Sequence, residues 1–535
     1  MALLGKENTK IMSKLAPCLL LLFFFLCGLF LIQDTSPTTD EIPFHMVNGY
    51  TYLKTHDYRM SPANPPLIRQ WMALPWLFIK PDLNLDKKSW IEADSVPFGV
   101  EFFYKDNRQI ANKLLYSSRF MILILGLLLG LVIYLWAKEL YGDWGGVLSL
   151  VLYVSCPSFL AHSSIAHTDV GVALFCTLSA YFLWKFLESD KKRFLLIFSL
   201  VFGMACAAKY NALILGIFFL LTILAKKGFK EFGASTLLTV FVAFFVVWSS
   251  YFFEFKPLLW EGVPRIEEKL GFIPSFLHWP AQNIPIPMPS YILGIAGIIR
   301  SHQSPYLHYA FGEWTTNSHW YFYLFSFAVK MTIPFLCFLI FRAISFKYSS
   351  SKKGNENLVV LIPTIAYFLM TFSDSTGVGV RYLFPIIPLL MVWAGGVVLL
   401  WKTLDIVIIL LAFSALISLF RNFPDCLSYF NSFVGGSKNG YKFVRGSDVD
   451  WGQGLKELKK FMDYTKIPEV TLRYFGTADP SFYGIKNRPF SDEEIITPSN
   501  RVYAISIFNL EHIKWAKSRK PDALIKGSIF IYDTR

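Results

Sequence analysis

Eleven apolar runs follow one another along this chain: 15–32, 119–137, 144–162, 167–187, 194–208, 211–225, 232–253, 319–341, 358–373, 381–400 and 404–420. Each approaches the ~20 residues that a helix needs to cross ~30 Å of hydrocarbon. In that solvent a spanning segment must satisfy its own backbone groups, which leaves helices or a closed barrel. The pattern predicts a mainly α, polytopic membrane protein of about eleven transmembrane helices. Composition agrees, because only 17% of the 535 residues are charged, against ~25% in soluble proteins. The first run exceeds the ~7–15 apolar residues of a signal peptide and has no A-x-A-like site after it, so it reads as an uncleaved span. Six of the seven cysteines lie in apolar runs and none forms a CxxC pair, which marks them as small core hydrophobes.

The formal charge of +13 is distributed for a membrane and not for nucleic acid. With the N-terminus inside, the inner segments carry fifteen cations: Lys6, Lys10, Lys14, Lys138, Lys191, Lys192, Arg193, Lys226, Lys227, Lys230, Arg342, Lys347, Lys352, Lys353 and Lys402. The short outer loops hold two, Lys209 and Arg381, a strong positive-inside bias. The bias requires that 194–225 be two spans divided at Lys209-Tyr210-Asn211, since a single helix would put Lys226, Lys227 and Lys230 outside.

This orientation places 33–118, 254–318 and 421–535 on the extracytoplasmic side. Residues 1–420 form the expected transmembrane domain, with 33–118 and 254–318 as its large outer loops. In 421–535, Leu455, Leu458, Phe461 and Met462 recur at helical spacing, and 470–475, 502–507 and 528–532 alternate as strands. A small extracytoplasmic α/β domain is predicted there, with a second helix over 511–517.

The residues capable of chemistry gather on the outer side. Asp40 and Glu41 follow the first span, where Thr38 or Thr39 is placed to cap a helix begun by Pro43. Adjacent carboxylates raise one another's proton affinity, which would suit a general base. Asp169 opens the fourth span and is either an N-cap or a site residue. Lys209 interrupts an apolar stretch, where a lysine at helix centre costs ~2.5–3.5 kcal/mol. Arg381 begins the tenth span as an interfacial anchor or an anion ligand, and Lys330 lies inside the eighth. Two acidic positions and two cations on one membrane face suit a base working beside a lipid phosphate. The loop 301–320 adds His302, His308, Glu313 and His319 without a tight metal-binding spacing such as HExxH. No cofactor is called for, and a divalent metal ion is left open. Neither a phosphate-binding GxxxxGK[ST] loop nor a GxSxG elbow occurs in context, which disfavours chemistry driven by cytoplasmic nucleotide. The Asp450-Trp451-Gly452-Gln453 segment either meets an acceptor or caps the helix after it.

Several segments, in this order, resemble the GT-C membrane glycosyltransferases of the protein O-mannosyltransferase and aminoarabinose-transferase superfamily, particularly prokaryotic family-39-like members. They are Asp40-Glu41 with His45, Gly49 and Tyr50; Asn64-Pro65-Pro66-Leu67; His167-Thr168-Asp169; Ala208-Lys209-Tyr210; Phe311-Gly312-Glu313; and Val329 to Pro334. Gly379 to Pro385, Tyr429-Phe430-Asn431, Gly435-Gly436, Asp448 to Gln453 and Tyr474 to Pro480 complete the series. Departures are Asn64 where many relatives have His, the stretched Lys330-Met331-Thr332-Ile333-Pro334, and Gly454 after Gln453. The resemblance implies inverting transfer of a sugar from a polyprenyl-phosphate donor to a protein, lipid or glycan acceptor on the extracytoplasmic face of a prokaryotic cytoplasmic membrane. It implies a catalytic carboxylate in Asp40-Glu41, with Asp40 preferred as base, and donor phosphate on Arg381 and Lys209. Asp169, His45 and Glu313 would orient acceptor or donor. Competing expectations are a secondary transporter, which would carry midplane charges and repeat symmetry, and a non-catalytic membrane assembly protein.

Overall fold

A computed structural model describes residues 6–260, 262–264, 269, 273–303, 307–317, 319–345, 354–374 and 376–535. Lys347, Lys352 and Lys353, and parts of the 254–318 loop, lie outside the described residues. The molecule is a helical bundle with a small mixed sheet at one end, and it is an integral membrane protein. Its bundle helices are α1 (Lys6–Asp34), α2 (Ala111–Tyr141), α3 (Asp143–Val154), α4 (Pro157–Ser163), α5 (Asp169–Ser189), α6 (Lys192–Ala208), α7 (Asn211–Ser250), α8 (Phe322–Lys330), α9 (Ile333–Ile344), α10 (Glu356–Thr371), α11 (Ile387–Ala394) and α12 (Trp401–Asn422). Among the described residues five helices are singly long and apolar enough to span a membrane, and two bent pairs raise this to seven.

The split of 194–225 is real: α6 stops at Ala208, and Lys209 is extended before α7 begins. Within α7, Gly228 is non-helical with φ 77° and ψ 178°, and the chain doubles back there. A Cβ at Gly216 would strike Phe202, and one at Gly203 would strike Ala243 and Val246. Positions thirty residues apart on α7 therefore meet the same turn of α6. At the opposite end of this hairpin, Lys227 pairs with Asp190, and Lys192 with Glu231.

Two expected single spans are broken. The pair α3 and α4 bends by 70° before Pro157, and α8 and α9 bend by 113° across extended Met331 and Thr332. A proline removes a donor and clashes with the preceding turn, so Pro334 begins a helix instead of continuing one. Lys330, expected inside a span, sits at this bend and donates to the carbonyls of Leu427 and Asp448 at 2.9 and 2.6 Å. The tenth run is helical only from Ile387, and Arg381 belongs to a separate 3-10 turn, Val380–Leu383.

Beyond α12, helix α13 (Leu455–Tyr464) turns Leu455, Leu458 and Met462 inward against a five-stranded sheet. The strands are β1 (Val470–Arg473), β2 (Asn487–Arg488), β3 (Val502–Ser506), β4 (Ala523–Ile525) and β5 (Ile529–Asp533), in the order β2-β1-β3-β5-β4. Strand β1 is parallel to β2 and β3, while β5 runs antiparallel to β3 and β4. The short β2 and β4 escape an alternation reading, and the expected helix over 511–517 is a 3-10 turn, Ile507–His512, followed by Lys514–Ser518.

This region grips the chain that leaves α1. Ser36 N donates to Gln453 O, Thr39 N to Trp451 O and Thr477 Oγ1 to Thr39 O, at 3.2, 2.8 and 3.0 Å. The hydroxyl of Ser36 accepts from Leu455 N at 3.1 Å, capping α13 from 419 residues away. Lys526 bridges Asp34 and Asp425, and Lys460 also reaches Asp34.

Candidate active site

The ends of α1, α5 and α6 and the 3-10 turn at 380–383 meet beneath the C-terminal region, and one charged cluster joins them. Asp169 is its buried centre. One carboxylate oxygen accepts from Lys209 Nζ at 2.5 Å, and the other lies 2.9 Å from His167 Nδ1 and 3.8 Å from Arg381 Nη1. Thr168 is the residue flanking the helix, and no side chain caps it, so Asp169 is not an N-cap. Its two cations and the imidazole take up its charge.

Arg381 Nη1 lies 3.1 Å from His167 Nε2. A guanidinium only donates, so Nε2 accepts and the ring proton faces Asp169. The face of Arg381 stacks on Trp451 at 4.3 Å, and Lys209 sits over the Tyr382 ring at 4.9 Å.

Asp40 and Glu41 part company although they are adjacent. Glu41 is fully buried and takes a two-pronged contact from Arg119, Nε to Oε1 and Nη2 to Oε2, both at 2.8 Å. Backbone donors from Thr38 and Ala166, at 2.6 and 2.7 Å, complete its shell. Arg119 also donates to the carbonyls of Ile32, Thr35 and Ser36, closing the exposed end of α1. Asp40 instead keeps 26% of its side chain accessible, with Oδ2 3.8 Å from His167 Nε2 and 3.9 Å from Arg381 Nη1.

The expected mutual raising of the two carboxyls does not occur. Burial alone would push both up, but the Arg381 charge holds Asp40 below the usual carboxylate range, and Arg119 does the same for Glu41. Each acid faces its own cation. The expected capping by Thr38 or Thr39 is also replaced: Asp40 flanks a short π-helical turn, Glu41–Met46, with no side-chain cap.

His45 is buried on this turn, its ring 4.1 Å from that of His167. Burial, with the charges of Arg69 and Arg381, drives its pKa well below the usual value, so the ring is neutral. Glu313 is exposed on the hairpin paired over His308–Ala310 and Glu313–Thr315. Among the described residues it makes no ion pair with the cluster.

Ligand atoms of Asp40, His45 and His167 lie within 4.8 Å of one another. This is the geometry a metal ion would need, but the Arg381 guanidinium already contacts His167 and faces Asp40. A divalent cation would meet a fixed positive charge there, so the residues do not fit one.

His167, Arg119 and Trp451 join the cluster without an individual role in the residue-by-residue reading, His167 and Trp451 having entered it only within the segments His167-Thr168-Asp169 and Asp450-Trp451-Gly452-Gln453. Arg119 had a visible signal, an arginine at the very start of an apolar run. Trp451 had a weaker one, a tryptophan between two acids and a Gly-Gln turn.

Residues 95–251 match the sequence profile of the dolichyl-phosphate-mannose-protein mannosyltransferase family. That stretch includes Asp169 and Lys209 but neither Asp40 nor Arg381. No curated protein matches the chain in sequence. Two crystal structures of ArnT from Cupriavidus metallidurans are similar in fold. The form bound to undecaprenyl phosphate has 9% identity and a TM-score of 0.50, and the apo form has 10% and 0.51. Each comparison covers 96% of this chain and 97% of that one. Along nearly its whole length the chain thus shares the fold of these ArnT structures, and over residues 95–251 it is similar in sequence to the mannosyltransferase family.

Proposed function

We infer that this protein transfers a hexosyl or pentosyl group, with inversion, from a polyprenyl-phosphate-linked donor to a protein, lipid or glycan acceptor. The reaction takes place on the extracytoplasmic face of a prokaryotic cytoplasmic membrane. The N-terminus is cytoplasmic, residues 1–420 are the transmembrane domain, and 421–535 form a small extracytoplasmic α/β domain. The positive-inside bias supports this orientation, and the undecaprenyl phosphate bound to the C. metallidurans ArnT supports the donor class.

One observation carries the reading. Asp40 is a carboxylate with an accessible edge, held ionised beside a partly accessible Arg381 and Lys209, whose side chains are 14% and 11% exposed. The acids around it, Glu41 and Asp169, are spent on fixed partners. Arg381 and Lys209 bind the donor phosphate, displacing the loose 3.9 Å approach of Asp40. Asp40 then accepts the proton of the acceptor hydroxyl or amine as that atom attacks the anomeric carbon opposite the phosphate. The bond from the anomeric carbon to the phosphate oxygen breaks, and the two cations stabilise the charge that develops on the departing lipid phosphate. Asp169 orients Lys209 and His167, and His45 packs behind His167 as a neutral ring. A transporter would place such charges at the bilayer midplane, whereas these sit at helix ends.

Mass spectrometry of lipid-linked sugars and surface glycans, in cells with the protein, without it and with Asp40→Asn, tests the reading. The expected result is a polyprenyl-phosphate sugar that accumulates, and a glycan that loses one sugar, in the last two strains. An unchanged glycan profile in both would overturn it.

A further inference from the structure

We propose that Trp451 is a positioning residue that sets the distance between the base and the leaving-group site, holding one with each end. The inference rests on the functional reading above and adds to it a residue from outside the transmembrane bundle. The main-chain carbonyl of Trp451 accepts from Thr39 N at 2.8 Å and from Thr39 Oγ1 at 3.2 Å, fixing the residue immediately before Asp40. Its indole lies 4.3 Å from the Arg381 guanidinium and 5.0 Å from the His167 ring. Arg381 is thus clamped between an aromatic face and the Nε2 of His167, so its outward edge points in one direction before any donor arrives.

The turn that carries Trp451 is itself fixed. Trp451 N donates to Gln453 Oε1 and Gln453 Nε2 to Val449 O, both at 2.8 Å. Gly452 adopts φ +90° there, and a Cβ on it would stand 2.8 Å from the Phe475 carbonyl and the Tyr474 hydroxyl. Trp451 is 3% exposed, so it touches the reaction through Thr39 and Arg381 and not through substrate.

The test uses the full chain in lipid nanodiscs, with undecaprenyl phosphate as the binding probe and sugar transfer as the kinetic one. Trp451→Leu keeps the carbonyl and an apolar side chain but loses the aromatic face. It should weaken binding of the probe and raise the donor KM roughly 3- to 30-fold, the scale of a desolvated cation–π contact. In an Arg381→Ala background the same substitution should add nothing, because the two act as a unit. Trp451→Phe should restore donor KM to within about 3-fold of wild type. Thr39→Val removes the hydroxyl contact and keeps the main-chain one, loosening only the base side, and should lower kcat modestly while leaving donor KM unchanged. A folded Trp451→Leu that binds the probe as wild type does, or effects that multiply with Arg381→Ala, would overturn the proposal alone. A wild-type chain that binds no lipid phosphate would overturn the functional reading together with it.

Discussion

Asp40 and Glu41 share a peptide bond and sit in opposite electrostatic worlds. Glu41 turns inward to a closed knot, four donors on two oxygens and an arginine with no exposed surface. Asp40 turns toward an open cluster where its nearest partners stand almost 4 Å away. The first arrangement uses an acid to hold a shape, and the second leaves one underused. A carboxylate whose lone pairs are all engaged has nothing left with which to take a proton, so the poorly satisfied neighbour is the one we propose as the base.

Substitutions can separate the two roles. Asp40→Asn should cost about 10²- to 10⁴-fold in kcat, the usual worth of a general base, with thermal stability unchanged. A transfer assay alongside a melting curve checks this, and full activity would remove Asp40 from the chemistry. Glu41→Ala should do the reverse. Stranding Arg119 without its carboxylate costs about 3–5 kcal/mol, so the yield of folded protein in membranes should collapse, and retained folding with lost turnover would contradict the contrast. Arg381→Ala should raise donor KM by about 10- to 100-fold, from the loss of a charge-assisted contact to phosphate, as a donor titration of the folded variant would show.

The pH profile follows from the direction of the Asp40 shift. Its folded pKa lies below the ordinary value, so the ionised base persists as pH falls and disappears only below the usual aspartate range near ~3.9. Turnover should therefore show no acid limb attributable to Asp40 between pH 5 and 8. A pH dependence of stability and not of turnover belongs to Asp450, whose carboxyl burial pushes up to about 7. The native state then binds a proton that the unfolded chain has released, so stability falls as pH rises from ~4 toward 7 and levels off above. Asp450→Asn should flatten that dependence, as melting curves across the range would register.

The bundle was largely legible from residue order. Long apolar runs and inner-loop lysines located the helices, and the two polar interruptions at Lys209 and Arg381 pointed to the cluster. Hydropathy averages over a window, which is why it passed over the bends at Pro157 and Pro334, although each proline stood in plain view. The fate of the Asp40-Glu41 pair was not legible. Whether neighbours compete for one proton or face separate cations depends on where Arg119 and Arg381 arrive, 78 residues away for Glu41 and far later for Asp40. The contacts of His167 and Trp451 were not legible for a related reason, since their partners Arg381 and Thr39 are remote in sequence.

The hydrogen bond from the Thr39 hydroxyl to the Trp451 carbonyl closes a loop of 412 residues, and this imposes an order in time. Chains emerge N-terminus first at about 5–20 residues per second, so the segment bearing Asp40 is made and inserted long before the residue that braces it. For tens of seconds a growing chain holds the proposed base without the residue that braces it. The brace is thus a late product of synthesis, and a chain interrupted before Trp451 would enter the membrane without it.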